Sequence, residues 1–258
     1  MKWQEQTWPS IAAMDKATPV VIPLGSIEQH GHHMPLCTDT VQVTAIAERA
    51  EAALGERAIF LPPLWLGSSH HHLDFAGTLS LKPTLYTQVI QDLATSVLQA
   101  GFRRLFFLNG HGGNETPVAQ ALTELSDLQP MAADALLAFA SWWSVGKPDA
   151  TKLGMQSPGI THACEYETSL MLHLRPDLVK QDLASDAPTI LDSPWLKGEK
   201  RVTLFRRFSR MTATGSLGQP TAASEAKGAS VLEAVSADVV AFVSEFASWS
   251  MPETLGPR

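Results

Sequence analysis

Two acidic residues and a histidine lie close together near the start of the chain, in a polar segment that follows an apolar run. Glu28 and His30 are two residues apart, and Asp39 comes nine residues after His30. In an extended chain, side chains two residues apart project to the same side. Carboxylate and imidazole groups are ligands for Zn, Mn and Fe, so this spacing predicts a metal site. The alternative interpretation is a polar loop whose histidines are only solvated.

The remaining histidines are clustered as well. The chain has nine histidines, and eight of them fall within four short segments beside Gly, Asp, Glu or Asn. Histidines with separate structural roles would be scattered along the chain. The eight clustered residues are His30, His32, His33, His70, His71, His72, His111 and His162.

Alternating apolar segments predict an α/β protein. Predicted strands cover residues 19–24, 58–61, 105–108 and 135–142, and predicted helices cover residues 40–54, 84–100, 115–127 and 224–249. This alternation indicates a three-layer fold, with a mostly parallel sheet and helices on both faces. The polar motifs up to residue 114 follow strands, where such sheets bind ligands. Asp39 and Thr40 are expected to cap the first helix, and residues 1–258 are expected to form a single domain.

The composition is that of an ordinary globular protein. Hydrophobic residues make up 45% of the 258 residues and charged residues 17%, and the net charge is −7. An acidic chain does not favour nucleic acid or an anionic membrane as a partner. The sequence has no apparent secretory signal, no apolar run of the ~18 residues typical of a membrane span, and only two cysteines, Cys37 and Cys164. A cytoplasmic protein is expected.

Several segments, taken in chain order, resemble the creatininase family of metal-dependent amidohydrolases. The similar segments are Gly-Ser-Ile-Glu-Gln-His-Gly at 25–31 with Asp39 downstream, residues 75–81, Asn-Gly-His-Gly-Gly-Asn at 109–114, residues 162–169 and residues 215–221. The resemblance runs from about residue 20 to about residue 245. It implies a creatininase-like three-layer fold and a homohexamer.

The resemblance also implies a site for two divalent ions, Zn, Mn or Fe. Glu28 and His111 would hold one ion, His30 would hold the other, and Asp39 would bridge them. Two cations about 3.5–4 Å apart can polarise a carbonyl group and lower the pKa of a bound water from 15.7 to about 7. A bridging carboxylate offsets the repulsion between the two ions.

Residues 162–169 add an imidazole and two carboxylates at the start of a helix. Glu167 matches a Glu-Thr-Ser sequence that recurs in the family, which favours it over Glu165 as the second-ion ligand or proton shuttle. His162 matches a histidine that the family uses beside the substrate, and as a charged imidazolium it could protonate a leaving nitrogen. The alternative is that both glutamates only stabilise the amino terminus of the helix.

The turn at residues 109–114 departs from the pattern of the creatinine-cleaving members. As the resemblance has it, those members carry Asn-Gly-His-Tyr-Glu-Asn, with the tyrosine at the substrate and the glutamate at the second ion. This chain has Gly112 and Gly113 at those places. The second ion must then take its carboxylate from elsewhere, and Glu167 is the candidate. The glycines also predict a roomier mouth and a substrate larger than creatinine, so efficient creatinine cleavage is not expected.

Three consecutive histidines, His70–His72, lie in the loop after the second predicted strand. Three consecutive side chains of a regular strand cannot all point at one ion, so at most one of them is expected to face the substrate. A solvated loop is the alternative interpretation.

Together these observations predict a metal-dependent amidohydrolase that cleaves an amide or cyclic-amide C–N bond of a small molecule with a water activated by two ions. Loss of a ligand would favour the alternative, a catalytically silent metal- or ligand-binding protein on the same scaffold. The expected catalytic residues are His162 and Glu167, and the expected metal ligands are Glu28, His30, Asp39, His111 and Glu167.

Overall fold

A parallel four-stranded sheet lies at the centre of the computed structural model, which describes residues 1–145, 148–187, 193, 195, 202 and 204–251. The strands are β1 (Val20–Leu24), β2 (Ile59–Phe60), β3 (Arg104–Asn109) and β4 (Leu136–Ser141). Their order across the sheet is β2-β1-β3-β4, and each neighbouring pair is parallel. Leu24 pairs with Asn109, and Asn109 pairs with Ser141, so β1, β3 and β4 end level at the carboxyl edge.

Seven α-helices in the described part of the chain surround this sheet. They are α1 (Trp8–Ala13), α2 (Thr38–Leu54), α3 (Pro83–Gln99), α4 (Glu115–Leu128), α5 (Trp142–Val145), α6 (Glu165–Leu174) and α7 (Glu225–Phe246). None of the described helices combines the length and the apolar character that crossing a membrane requires.

Alternate residues of the strands pack into two separate cores. Val21 of β1 and Phe106 of β3 face a core shared with α2, α6 and α7. Val20 and Phe107, one position away on the same strands, face a second core formed with α3 and α4. Burying each such side chain contributes about 1.5–3 kcal/mol, so both faces of the sheet must be covered by helices. The predicted three-layer α/β fold is confirmed.

The amino terminus of α2 differs from the expected one. The helix begins at Thr38, and the preceding Cys37 occupies the cap position without a side-chain hydrogen bond to the helix. Asp39 therefore lies inside the first turn, and its carboxylate contacts His30 and His111 instead of capping backbone amides. The expectation that Asp39 and Thr40 cap this helix is wrong, because Asp39 faces the imidazoles and Thr40 Oγ1 donates a hydrogen bond to the Ser26 carbonyl oxygen at 2.9 Å.

Candidate metal centre

The carboxyl edge of the sheet brings the predicted metal ligands together. Glu28 and His30 lie in the loop after β1, and His111 lies two residues beyond β3. Asp39 reaches them from the first turn of α2, and Glu167 reaches them from the first turn of α6. All five residues are at most 5% exposed. Loops and helix termini from four elements therefore converge on one buried point, as expected for the carboxyl edge of a parallel sheet.

Asp39 lies between two imidazoles. Its Oδ1 is 3.1 Å from His30 Nε2, and its Oδ2 is 3.2 Å from His111 Nδ1. His111 Nδ1 is also 3.2 Å from Glu28 Oε1. A carboxylate that presents one oxygen to each side has the geometry to bridge two cations.

Several buried polar atoms of this cluster have no hydrogen-bond partner among the described residues. The contact between His30 Nε2 and Asp39 Oδ1 lacks hydrogen-bond geometry. An unpaired buried polar atom costs about 1–3 kcal/mol. The groups Glu28–His30–Asp39 and His30–His162–Glu167 each offer ligand atoms within 4.8 Å of one another. This donor set of carboxylates and imidazoles fits a divalent transition metal. The unpartnered atoms are Glu28 Oε2, His30 Nε2, Asp39 Oδ2 and Glu167 Oε2.

Protonation of the cluster follows from burial and from the carboxylate–imidazole contacts. Burial lowers the pKa of His30, but the Asp39 carboxylate outweighs this effect and raises the pKa to about 10. The Glu28 and Asp39 carboxylates likewise raise the pKa of His111 well above 6.5 against the effect of burial. Burial raises the pKa of Glu167 to about 7. Without a metal cation, both imidazoles therefore hold protons at neutral pH.

Two asparagines hold the turn that carries His111. Asn109 Oδ1 accepts hydrogen bonds from the His111 amide at 3.1 Å and from Asn114 Nδ2 at 3.2 Å. Asn109 Nδ2 donates to the His111 carbonyl oxygen at 2.7 Å. Asn114 Nδ2 also donates to the carbonyl oxygen of Gly25 at 3.1 Å. These bonds tie the turn to the loop after β1, so the His111 ring is held against Glu28.

Gln29 fixes the tautomers of two further histidines. Its Oε1 accepts a hydrogen bond from the Gly31 amide, so its Nε2 is the donor. Gln29 Nε2 donates to His72 Nδ1 at 2.8 Å and to the Gly215 carbonyl oxygen at 3.0 Å. His162 Nε2 lies 2.8 Å from the Gln29 carbonyl oxygen and 3.0 Å from Gln29 Nε2. Because the carbonyl oxygen can only accept, and both Nε2 hydrogens of Gln29 are directed at His72 and Gly215, His162 Nε2 is the donor in the first contact. The Nδ1 atom of neutral His162 is then unprotonated and faces the cluster.

His162 is neutral in this environment. Burial and the charge of His30 lower its pKa well below 6.5. The imidazolium expected to protonate a leaving nitrogen is therefore not the resting form of His162, and that role stays a prediction. Ala163, the next residue, has a left-handed backbone with φ of 50°. This turn sends the chain from His162 directly into α6, so that Glu167 also reaches the cluster.

The two glutamates at the start of α6 have different surroundings. Glu165 accepts a hydrogen bond from Lys227 Nζ at 2.6 Å and from the backbone amides of Gln156 and Ser157. Burial alone would raise the pKa of Glu165, but these bonds lower it below 4.5. Glu165 thus stabilises the segment before α6, whereas Glu167 lies next to His30.

Two of the three consecutive histidines line the site, so the expectation that at most one would do so is wrong. His70–His72 form a turn of 3₁₀-helix, in which successive side chains are about 120° apart. His70 is exposed, and its Nδ1 bonds Ser80 Oγ at 2.6 Å. His71 and His72 both face the cavity at the cluster. Strand geometry, on which the expectation rests, does not apply to this turn.

A cavity of about 170 Å³ opens onto the cluster. Trp143, Ile160 and Phe208 form its apolar wall. The Phe208 ring centroid is 4.2 Å from that of His72 and 4.6 Å from that of His162. No sequence pattern indicates Phe208, because it lies in an irregular segment far along the chain from the histidines that it covers.

Gly112 and Gly113 differ in the space around them. No atom lies within 4 Å of the position that a Cβ at Gly112 would take. A Cβ at Gly113 would clash with the Ser68 carbonyl oxygen and His111 Nε2 and would lie 2.7 Å from His71 Cε1. The roomier mouth expected from both glycines is therefore confined to Gly112.

Comparison with known proteins agrees with this geometry. The Creatininase family model, described as creatinine amidohydrolase, matches residues 4–243. The mycofactocin precursor peptide peptidase of Mycobacterium tuberculosis (strain CDC 1551 / Oshkosh) is 33% identical over 250 residues, which are 92% of this chain and 87% of the relative. The creatinine amidohydrolase of Pseudomonas putida is 32% identical over 248 residues, covering 89% and 90% of the two chains.

The fold comparison gives the same result. A crystal structure of creatinine amidohydrolase (creatininase) superposes with a TM-score of 0.81 at 28% identity, covering 96% of this chain and 98% of the other. The family match spans nearly the whole chain, and the resemblance inferred from the motifs is confirmed. This chain belongs to the creatininase family.

Proposed function

We propose that this chain is a hydrolase that cleaves an amide or cyclic-amide C–N bond of a small molecule and requires two divalent ions. The observation that carries the proposal is the convergence of buried carboxylates and imidazoles around Asp39, with ligand atoms that have no other partner. A catalytically silent binding protein is less well supported, because all of the predicted ligands are present and lie together.

In this proposal Glu28 and His111 would hold one ion, His30 and Glu167 would hold the other, and Asp39 would be shared by both. The placement of Glu167 beside His30 supports its assignment as the second-ion carboxylate. When bound, the ions would polarise the substrate carbonyl and lower the pKa of the attacking water. Similar solved creatininases are described as a Zn-Zn form and a Mn form, so Zn and Mn are the first ions to test.

His162 moves the proton in the proposed reaction. Its unprotonated Nδ1 faces the cluster, 3.6 Å from Glu28 Oε1, and accepts the proton that the attacking water releases. The same nitrogen then delivers the proton to the leaving nitrogen as the C–N bond breaks. The hydrogen bond from Nε2 to the Gln29 carbonyl keeps the ring in place and stabilises the transient imidazolium.

The substrate proposed is a small non-peptide amide. A cavity of about 170 Å³ with an apolar wall suits a small molecule. A second candidate is a peptide bond of a short peptide, because a relative at 33% identity is named a peptide peptidase. The open side at Gly112 would give a longer substrate a way out of the cavity.

We further propose a cytoplasmic homohexamer with no nucleic-acid or membrane partner. The family resemblance supports the oligomer, and the net charge of −7 argues against nucleic acid. Light scattering on the protein as it elutes from a size-exclusion column measures its molar mass and hence the oligomeric state. A monomer at micromolar concentration would contradict this part of the proposal.

The metal content tests the proposed function. Protein purified without chelator is expected to hold close to two divalent ions per chain by elemental analysis. His30→Ala should lose one ion, and Asp39→Ala should lose most of both, because Asp39 contacts both halves of the cluster. His32→Ala, at a neighbouring exposed histidine, is the matched control and should keep both ions. Wild-type protein without any transition metal would refute the proposal.

The substrate class is tested by turnover. The rates at which the metal-loaded enzyme hydrolyses creatinine, other cyclic amides and short peptides are compared under the same conditions. Creatinine is expected to give a kcat/KM below about 10⁴ M⁻¹s⁻¹, the lower end of the ordinary enzyme range. Efficient creatinine hydrolysis would contradict this prediction, and turnover confined to peptides would favour the second candidate.

A further inference from the structure

We propose that His71 is a metal ligand of this chain, acting with Glu28 and His111 on the same ion. This inference rests on the proposed metal-dependent function and assigns it an additional ligand. The three residues offer ligand atoms that all lie within 4.8 Å of one another. Ligand atoms bound tetrahedrally to zinc at about 2.0–2.2 Å are roughly 3.3–3.6 Å apart, so small side-chain rotations that close the separations by up to about 1.5 Å would bring the three atoms onto one ion.

Local packing directs His71 towards this position. Its ring stacks on that of His111, with centroids 5.6 Å apart and an angle of 15° between the planes. Gly113 leaves the space that the ring needs, because a Cβ there would lie 2.7 Å from His71 Cε1. The absence of a side chain at Gly113 thus admits an imidazole from a different loop.

Hydrogen bonding separates His71 from the histidines on either side of it. His70 Nδ1 bonds Ser80 Oγ at 2.6 Å, and that ring is exposed. His72 Nδ1 accepts from Gln29 Nε2, so its proton is on Nε2, which faces Glu28 Oε1 at 3.6 Å as a donor. Among the described residues, neither nitrogen of His71 has a hydrogen-bond partner. Of the three histidines, His71 alone faces the cluster with uncommitted nitrogens.

The chemical consequence concerns the charge of the site. Glu28 and Asp39 already bring two negative charges to the ion that they would share with His111. A further imidazole is a neutral ligand, so it would anchor the ion while reducing its positive charge less than a third carboxylate would. The ion then keeps its ability to polarise a carbonyl group.

Cobalt titration tests this assignment. Chelator-stripped wild-type protein, His71→Ala and the matched control His70→Ala are titrated with Co²⁺, and binding is followed by calorimetry and by the visible absorption of the bound ion. Replacing a residue that only orients a ligand costs 10–100-fold in affinity. Loss of His71 should therefore weaken one of the two sites by at least about tenfold and change its absorption intensity. His70→Ala should match the wild type in both measurements.

The possible outcomes separate this inference from the proposed function. Wild-type protein that binds no Co²⁺ would refute the metal-dependent function, and the inference with it. Two intact sites with an unchanged spectrum in His71→Ala would overturn the inference alone. If His71→Ala is less well folded by circular dichroism, His71→Gln replaces it, since Gln keeps a polar side chain of similar length. An unaltered cobalt spectrum in that variant would equally overturn the assignment.

Discussion

At the scale of single residues, the carboxylates that would hold the ions also hold protons on the neighbouring imidazoles. Asp39 raises the pKa of His30 to about 10 despite burial, and Glu28 and Asp39 raise that of His111 well above 6.5. A divalent ion can use these ring nitrogens only after the protons leave. Protons and metal ions therefore compete for the same atoms.

We expect the apparent metal affinity to increase with pH from about 6.5 up to about 10, the pKa of His30. Below that pKa the ring is protonated, so binding must displace a proton and weakens by about tenfold per pH unit for each proton displaced. Calorimetry at pH 8 in buffers of different ionisation enthalpy measures the number of protons released, which should be at least one per chain. An affinity independent of pH above 7, with no proton released, would contradict this expectation.

The sequence predicted some site residues and not others, for physical reasons. Glu28, His30 and Asp39 could be predicted because they follow a recognisable strand at short spacing. His71 could not be predicted. A 3₁₀ turn directs its side chain at the site, and a run of three identical residues does not reveal which of them points inwards. Phe208 could not be predicted either, because its contacts join segments far apart in the chain.

At the scale of elements, the placement of Glu167 depends on how closely α6 and α7 pack. Gly228 of α7 lies against the backbone of α6, where a Cβ would clash with the carbonyl oxygen of Ser169. One residue earlier, Lys227 bonds Glu165 at the start of α6. The two contacts fix the position of the turn that carries Glu167.

Gly228→Ala is expected to destabilise the protein by about 1–3 kcal/mol, because the added methyl group forces the two helices apart. Urea unfolding measures the loss as a lower midpoint at unchanged slope. Gly159→Ala is the matched control, since no atom lies within 4 Å of the added group. Equal stability of the two variants would show that α6 and α7 are not held as closely as described.

The elements themselves were largely predictable. The strands β1, β2 and β3 are short runs buried on both faces. The predicted 135–142 strand is observed as Leu136–Ser141 and is mostly half-buried. The start of α2 was not predicted, because an Asp before an apolar periodic segment is the usual signal of a helix cap. Here tertiary contacts with His30 and His111 take that side chain away from the backbone.

At the scale of the whole molecule, the proposed ions would join elements from both halves of the chain. The ligands belong to the loops after β1 and β3 and to the first turns of α2 and α6. An ion bound only to the folded arrangement stabilises it by mass action.

That the chain forms a single domain stays a prediction, and a single cooperative unfolding transition would support it.

Removing metal with a chelator is therefore expected to lower the melting temperature. At a free metal concentration of 100 times the Kd, the stabilisation is about 2.7 kcal/mol for one site. For a chain of this size, this corresponds to about 5–10 °C. Calorimetric scans with and without chelator measure the difference, and Asp39→Ala should show almost none. If the chelator leaves the wild-type melting temperature unchanged, bound metal does not stabilise the folded state and this prediction is wrong.

The parallel order of the sheet has a consequence for synthesis on the ribosome. Glu167 is translated about 140 residues after Glu28, which takes roughly 7–28 s at the usual elongation rates. During that interval the nascent chain presents Glu28, His30 and Asp39 before β3 has emerged to pair with β1. Glu28, His30 and Asp39 alone would offer a cation an incomplete set of ligands. In the proposed site, discrimination between metals would therefore begin only once His111 and Glu167 have joined these three residues.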